Sequence, residues 1–264
     1  MTGEQAATPS SKQVAPRAPG AQDGRAHLLA ARARLWTERV SRIRRTGGDM
    51  KQYYAQRAAE YERIYAIPER QPDLQRLREA LSDFGAGRRL LEIACGTGYW
   101  TEAVAAVART VVATDAVEEV LAVARGKGVP PERVTFVCAD AFDLEVLAGD
   151  FDAAFSGFWW SHVSRARLAE FLAKLHRRLG AGTGVLFFDN RFVAGSSTPI
   201  SRADEVGNTY QERVLADGTH HEVIKNFPSA TDVRRQLAEL GGRAIRVQEL
   251  RYYWLARYEV GPAA

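Results

Sequence analysis

Between residues 52 and 260 the chain alternates short apolar runs with amphipathic stretches of helical period. The apolar runs are Leu90-Leu91-Glu92-Ile93, Val111 to Thr114, Val134 to Cys138, Phe151 to Phe155 and Gly184 to Phe188. Between them lie helix-period segments over Leu74 to Phe84, Val117 to Arg125 and Arg165 to Leu179, the last ended by Gly180. Strands that are apolar almost throughout are those covered on both faces, so this alternation predicts a doubly wound, mostly parallel α/β sheet. Further on, Thr209 to Leu215 and Glu222 to Asn226 flank Asp217-Gly218 and read as a hairpin. Thr231 is the expected cap of a helix ending at Gly241-Gly242, and Ala244 to Leu250 and Tyr253 to Val260 are the last predicted strands.

The first part of the chain has a different pattern. Residues 1–26 hold Pro9, Pro16, Pro19, Gly20 and Gly24 among polar residues, a composition expected to be disordered. His27 to Arg45 has helical spacing, with Leu28, Leu35, Trp36, Val40 and Ile43 opposite a row of arginines. It reads as a docking helix with a solvated basic face, the alternatives being a lid or a dimer contact. A second helix is expected from Asp49 to Ile67, stopped by Pro68, with Tyr54, Ala58, Tyr61 and Tyr65 on one stripe. The chain thus divides into a tail (1–26), N-terminal helices (27–84) and an α/β core (85–264) with a hairpin insertion at about 209–226.

Composition narrows the function. The 264 residues carry a net charge of +4, which invites a nucleic-acid reading until the charge is located. Residues 1–51 contain ten Lys/Arg and four Asp/Glu, a net +6, and the remaining 213 contain 26 and 28, a net −2. The core is therefore slightly acidic and has no broad phosphate-binding face. Cys95 and Cys138 both end apolar strands, which points away from a disulfide framework or zinc site and toward a reducing cytoplasm. No apolar run approaches the ~18 residues of a membrane span, and the start lacks the apolar stretch of a signal peptide.

The chemistry concentrates after the first strand, in Glu92-Ile93-Ala94-Cys95-Gly96-Thr97-Gly98. Gly96 and Gly98 permit a sharp turn and leave the loop N–H groups open to a ligand. A strand, a Gly-x-Gly turn, a helix and then Asp115 at the next strand end form the nucleotide-cofactor arrangement. The third fingerprint position is Thr101 rather than Gly or Ala, so a dinucleotide fits poorly.

Glu92-x-x-x-Gly96-x-Gly98, then Asp115, then Ala139-Asp140-Ala141-Phe142 resembles the class I S-adenosylmethionine (SAM)-dependent methyltransferases, over roughly Gln52 to Val260. The resemblance implies a Rossmann-like sheet closed by an antiparallel last strand, with the N-terminal helices over the cofactor site. It implies that Glu92, Ala94, Gly96 and Gly98 face the methionine part of SAM, and that Asp115 with Ala116 takes the ribose. Asp140, Ala141 and Phe142 would take the adenine, and Ser156 at the end of strand four completes the set. Tyr54 and Tyr61 resemble the tyrosines that many small-molecule methyltransferases lay over SAM. The plain alternative is that their stripe is core.

In open α/β sheets ligands bind beyond the carboxyl ends of the strands, so the acceptor site is expected after strands four and five. There stand Phe158, Trp159, Trp160 and His162, then Asn190 and Arg191. The aromatics are read as walls for an aromatic or specialised-metabolite acceptor, against the alternative of core packing. His162 is the candidate general base, against a packing role at the next helix start. His220 and His221, beside the hairpin turn, are read as solvated. Asp189-Asn190 resembles part of the magnesium site of catechol-type O-methyltransferases, but no acid follows strand four, so no metal is expected. Ser156-Gly157-Phe158-Trp159 also lacks the Asn/Asp-Pro-Pro-aromatic motif of base-amino methyltransferases, a second argument against nucleic acid. The expected activity is SAM-dependent methylation of a small molecule at O, N or C by a cytoplasmic monomer or homodimer. The alternatives are an intramolecular cyclase or pericyclase using SAM, and a non-catalytic SAM-binding protein.

Overall fold

A computed structural model describes residues 51–262, and the tail (1–26) and the helix expected over His27 to Arg45 lie outside the described residues. Seven strands form one sheet in the order β3-β2-β1-β4-β5-β10-β9. They are β1 (Arg89–Ile93), β2 (Thr110–Asp115), β3 (Val134–Cys138), β4 (Ala153–Gly157), β5 (Gly184–Asn190), β9 (Gly242–Glu249) and β10 (Tyr253–Val260). The first five are mutually parallel, while β10 runs antiparallel to both β5 and β9. Only the last strand in the chain, β10, therefore runs against the others, as expected, and β9 at the edge is parallel to β1–β5.

Alternation along each strand sends neighbours to opposite faces. Leu90, Phe188 and Tyr253 join the cluster under α2 (Gln71–Gly85), α3 (Tyr99–Ala105) and α4 (Glu118–Arg125). Leu91, Phe187 and Trp254 join the cluster under α5 (Leu168–Leu179) and α6 (Ala230–Glu239). Both faces are covered, which is why these strands read as continuous apolar runs. Each such side chain fully removed from water contributes about 1.5–3 kcal/mol.

The segment before α2 departs from the expected single helix. Residues 51–57 are α-helical (α1), and Ala58–Tyr65 then winds as a 3₁₀ helix. Three residues per turn put Ala58, Tyr61 and Ile64 in one row, and all three pack against the body. The hairpin is also larger than expected. Strands β7 (Thr209–Val214) and β8 (His220–Ile224) are joined by β6 (Arg202–Ala203) in a second, three-stranded sheet. The cap of α6 is Ser229 rather than Thr231, because the Ser229 side chain and Asp232 satisfy each other's backbone N–H groups in a capping box.

Candidate active site

The turn after β1 is the most contorted backbone in the core. Ala94, Gly96 and Gly98 have φ of 54°, 56° and 77°, in the left-handed region. A Cβ built at Gly96 meets nothing within 4 Å, so the space above the loop is open to a ligand. At Gly98 the reason is different: a Cβ would lie 3.0 Å from that of Ala124 on α4. Asp115 closes the loop from the neighbouring strand, its Oδ2 accepting from Gly96 N–H (2.9 Å) and its Oδ1 from Val117 N–H (3.0 Å). Burial raises its carboxyl pKa, opposed by the hydrogen bond from Gly96. Asp140, at the end of β3, is exposed, accepts from Phe142 N–H (3.0 Å) and pairs with Lys51 at 3.3 Å. Glu92 lies beneath the loop, 2% exposed, with Oε2 accepting from Thr101 Oγ1 at 2.6 Å. Burial pushes its carboxyl up to about 8. Thr101 thus stands at the third fingerprint position for its hydroxyl, which glycine cannot supply.

From the loop a ladder of tyrosines leads to the other end of the cleft. Tyr99 stacks on Tyr65 at 3.9 Å, Tyr65 lies 6.1 Å from Tyr61, and Tyr61 lies 5.8 Å from Tyr54. Burial raises the phenols of Tyr54, Tyr61 and Tyr65, that of Tyr61 to about 12. The ladder ends where Tyr54 Oη meets His162 Nε2 at 2.9 Å. His162 Nδ1 lies 2.8 Å from the Ile224 carbonyl on β8. A carbonyl only accepts, so this contact assigns the hydrogen to Nδ1 and the lone pair to Nε2. Burial, and then the Lys225 ammonium 3.5 Å from Nε2, hold the imidazole well below its ordinary pKa, so it is neutral.

Lys225 is itself buried. Its Nζ donates to Ser161 Oγ (2.6 Å) and to Asp189 Oδ1 (3.3 Å). Asp189, wholly buried, also accepts from Ser161 N–H (2.8 Å), Ser161 Oγ (2.9 Å) and Asn190 N–H (2.7 Å). Four donors thus converge on Oδ1 and one on Oδ2, which ties the carboxylate into the fold. Among the described residues no group of three or more His, Cys, Asp or Glu side chains could hold a metal ion.

Residues 90–183 match the family described as the methyltransferase domain. A solved DhpI–SAH complex is 26% identical to this chain, with a TM-score of 0.68 over 83% of this chain and 98% of that one. A DhpI–SAM–HEP complex is 27% identical, with a TM-score of 0.65 over 81% and 97%. The demethylmenaquinone methyltransferase of Clavibacter sepedonicus is 42% identical over 82 residues, which are 31% of this chain and 34% of that protein. The chain thus spans about a third of the curated relative it matches. Residues 90–183 thus carry a methyltransferase domain, and the chain as a whole is similar to the solved DhpI complexes.

The residues expected at the cofactor end come together around this loop. Ala94, Gly96 and Gly98 form the loop, Asp115 and Ala116 close it, and Asp140, Ala141 and Phe142 follow β3. Ser156 ties β4 to β1 through the Ile93 carbonyl at 2.7 Å, a structural bond. Tyr54 sits on His162, and the stripe is both core and site wall, since Tyr65 is buried against Trp100 and Phe158.

The acceptor-side aromatics need correction. Phe158 is 6% exposed and packs against Phe188 and Tyr253, and Trp160 is 3% exposed between Phe187 and Trp254. These two belong to different core clusters, because the chain leaves the strand at Phe158, whose φ is 61°, and turns into a 3₁₀ helix at Trp160. Trp159 is half-buried beside Phe171. Arg191 is drawn aside by the Leu250 carbonyl and Glu249, and the Asn190 side chain donates back to Asp189 at 3.1 Å. His221 is half-buried with Nε2 unpartnered, not a solvated turn residue. Sequence reasoning missed Tyr53, Lys225 and Arg213. The available signal was a polar Lys225-Asn226 pair continuing the apolar Val223-Ile224 of a strand.

Proposed function

We propose that the protein transfers a methyl group from SAM to a small-molecule acceptor, with His162 as the general base. The observation that carries this reading is the Nε2 lone pair of His162, fixed by the Ile224 carbonyl and reached by a tyrosine hydroxyl in the cleft.

The residues present fit the cofactor. The open space above Gly96 admits close backbone approach, and the loop N–H groups suit the amino-acid carboxylate of SAM. Asp115 is placed to accept from a ribose diol, and Asp140 from the adenine side, giving up or sharing its contact with Lys51. When bound, SAM supplies a methyl group on a sulfonium, an electrophile that needs no further activation.

This chain's own residues supply orientation and a proton acceptor. The tyrosine ladder of α1 and the 3₁₀ helix covers the cleft and excludes water. The acceptor hydroxyl or amine takes the place of Tyr54 Oη on His162 Nε2 and gives its proton there as the new bond to carbon forms. His162 Nδ1–H stays on the Ile224 carbonyl, which holds the ring in position. Alignment of acceptor and methyl contributes independently of the base. The similar DhpI complexes, one with SAH and one with SAM and HEP, support a site that holds cofactor and a second molecule together.

Product analysis tests the reading. Incubation with SAM and acceptor libraries is expected to yield S-adenosylhomocysteine in equal amount to methylated product. Methylthioadenosine instead would point to cyclisation, and neither product to a binding protein.

A further inference from the structure

Beside Tyr54 the surface opens into a cleft of about 340 Å³, lined among others by Tyr53, Arg57, Arg63, Thr198, Arg213 and Leu215. Two carboxylates border it: Glu60, which is paired with Arg63 at 3.5 Å, and Glu212, whose exposed side chain stands 4.0 Å from His220. Arg57 and Arg213 make no ion pair among the described residues. Arg57 donates to Tyr53 Oη, and Arg213 to Thr198 Oγ1 and Gln211 Oε1. A guanidinium has about five N–H donors, so both retain several directed at no protein acceptor. The cross-strand partner of Arg213 is His221, which shares its face of the hairpin. The His221 ring lies 5.5 Å from that of Tyr53, and its Nε2 is buried with no partner. Two guanidiniums without carboxylates and an orphaned imidazole nitrogen thus surround one tyrosine.

The cleft also adjoins the base. The Tyr53 ring lies 5.0 Å from that of Tyr54, whose hydroxyl is on His162. We propose that this cleft binds an anionic group of the acceptor, a carboxylate or a phosphate-type oxyanion, held by Arg57 and Arg213, with the buried His221 ring behind Tyr53 sensing its occupancy. The inference rests on the methyltransferase reading for the word acceptor, since the anion would anchor the molecule whose nucleophile reaches His162. Planar N–H forks match either oxyanion in bidentate fashion, which a lysine pair would not do. The aromatic walls expected after β4 are absorbed into the core, so selection by charge replaces selection by stacking.

The test reads binding and not turnover, so it stands apart from the proposed activity. The imidazole signals of His221, assigned through His221→Gln, are followed by NMR as the full chain is titrated at constant pH. The ligands are inorganic phosphate, acetate and neutral acetamide. The expected result is a saturable shift with at least one anion and none with acetamide. Arg57→Gln and Arg213→Gln should each raise the half-saturating concentration at least fivefold, and the double variant should abolish saturation. Tighter saturation by phosphate assigns a phosphate-type group, and tighter saturation by acetate a carboxylate. S-adenosylhomocysteine affinity unchanged in the variants shows that they are folded. Shifts that rise linearly with both anions, or that persist in the double variant, overturn the proposal. Failure of the parent chain to bind S-adenosylhomocysteine while an anion still saturates would instead overturn the cofactor assignment and leave the subsite standing.

Discussion

The two ends of the cleft are built in opposite ways. The proposed cofactor end is local: Glu92, Gly96, Gly98, Thr101 and Asp115 fall within one β-α-β unit, where Thr101 on α3 bonds Glu92 on β1 and Asp115 on β2 bonds the Gly96 loop. The acceptor end is assembled from distant segments. Tyr54 comes from α1, Ser161 and His162 from the turn after β4, Asp189 from β5, and Arg213 and Lys225 from the hairpin and its exit. The first end is set by backbone geometry and glycine, and the second by buried charge. Loss of one group should therefore have different consequences at each end.

At the acceptor end the largest effect is expected from His162→Ala. It should lower kcat by about 10²–10⁴ with SAM affinity nearly unchanged. Burial and Lys225 hold the His162 pKa down, so the wild-type rate should fall only well below pH 6.5, as protonation removes the Nε2 lone pair. The variant should lack that limb, and wild-type kcat across the pH range would remove the base assignment.

At the cofactor end Gly96→Val combines a left-handed φ of 56° with a side chain in the ligand's space. Calorimetry should show S-adenosylhomocysteine binding weakened by about 100-fold or more, the backbone strain alone costing about 1–2 kcal/mol. Near-native affinity would mean that the loop is not the cofactor site. Asp115→Ala should be milder, about 1–3 kcal/mol for the lost charged hydrogen bonds. Unchanged binding of adenosine-containing ligands would show that the ribose lies elsewhere.

A separate effect concerns stability. Glu92 has its pKa raised to about 8, so its contribution is fully present below the ordinary Glu value and is lost as pH rises through 8. Between those limits wild-type stability should fall by up to about 1.4 kcal/mol per pH unit. Glu92→Gln should lack that slope. His162, with its lowered pKa, adds the opposite trend below pH 6.5 in both proteins, so the difference between the two melting curves isolates Glu92. Parallel curves from pH 5 to 9 would show that Glu92 is ionised in the fold.

The sequence by itself determined the sheet, its helices and the Gly-x-Gly loop with Asp115 beside it. Apolar runs covered on both faces, a Gly-x-Gly turn and an acid at the next strand end are local patterns, and local patterns survive in one dimension. It also supplied Tyr54 and His162, because a tyrosine stripe and a histidine after β4 are unusual enough to be noticed singly. It did not determine that these two touch, being 108 positions apart, nor that Lys225 stands 3.5 Å from the same nitrogen. It misassigned Phe158 and Trp160, since the left-handed turn at Phe158 and the 3₁₀ helix after it, which send the two rings into different core clusters, leave no mark in the sequence. Only the tertiary structure decided which polar groups share a desolvated space. That decision fixes the protonation of His162 and the open donors of Arg57 and Arg213, because burial and Coulomb interaction depend on distance in space and not on separation along the chain.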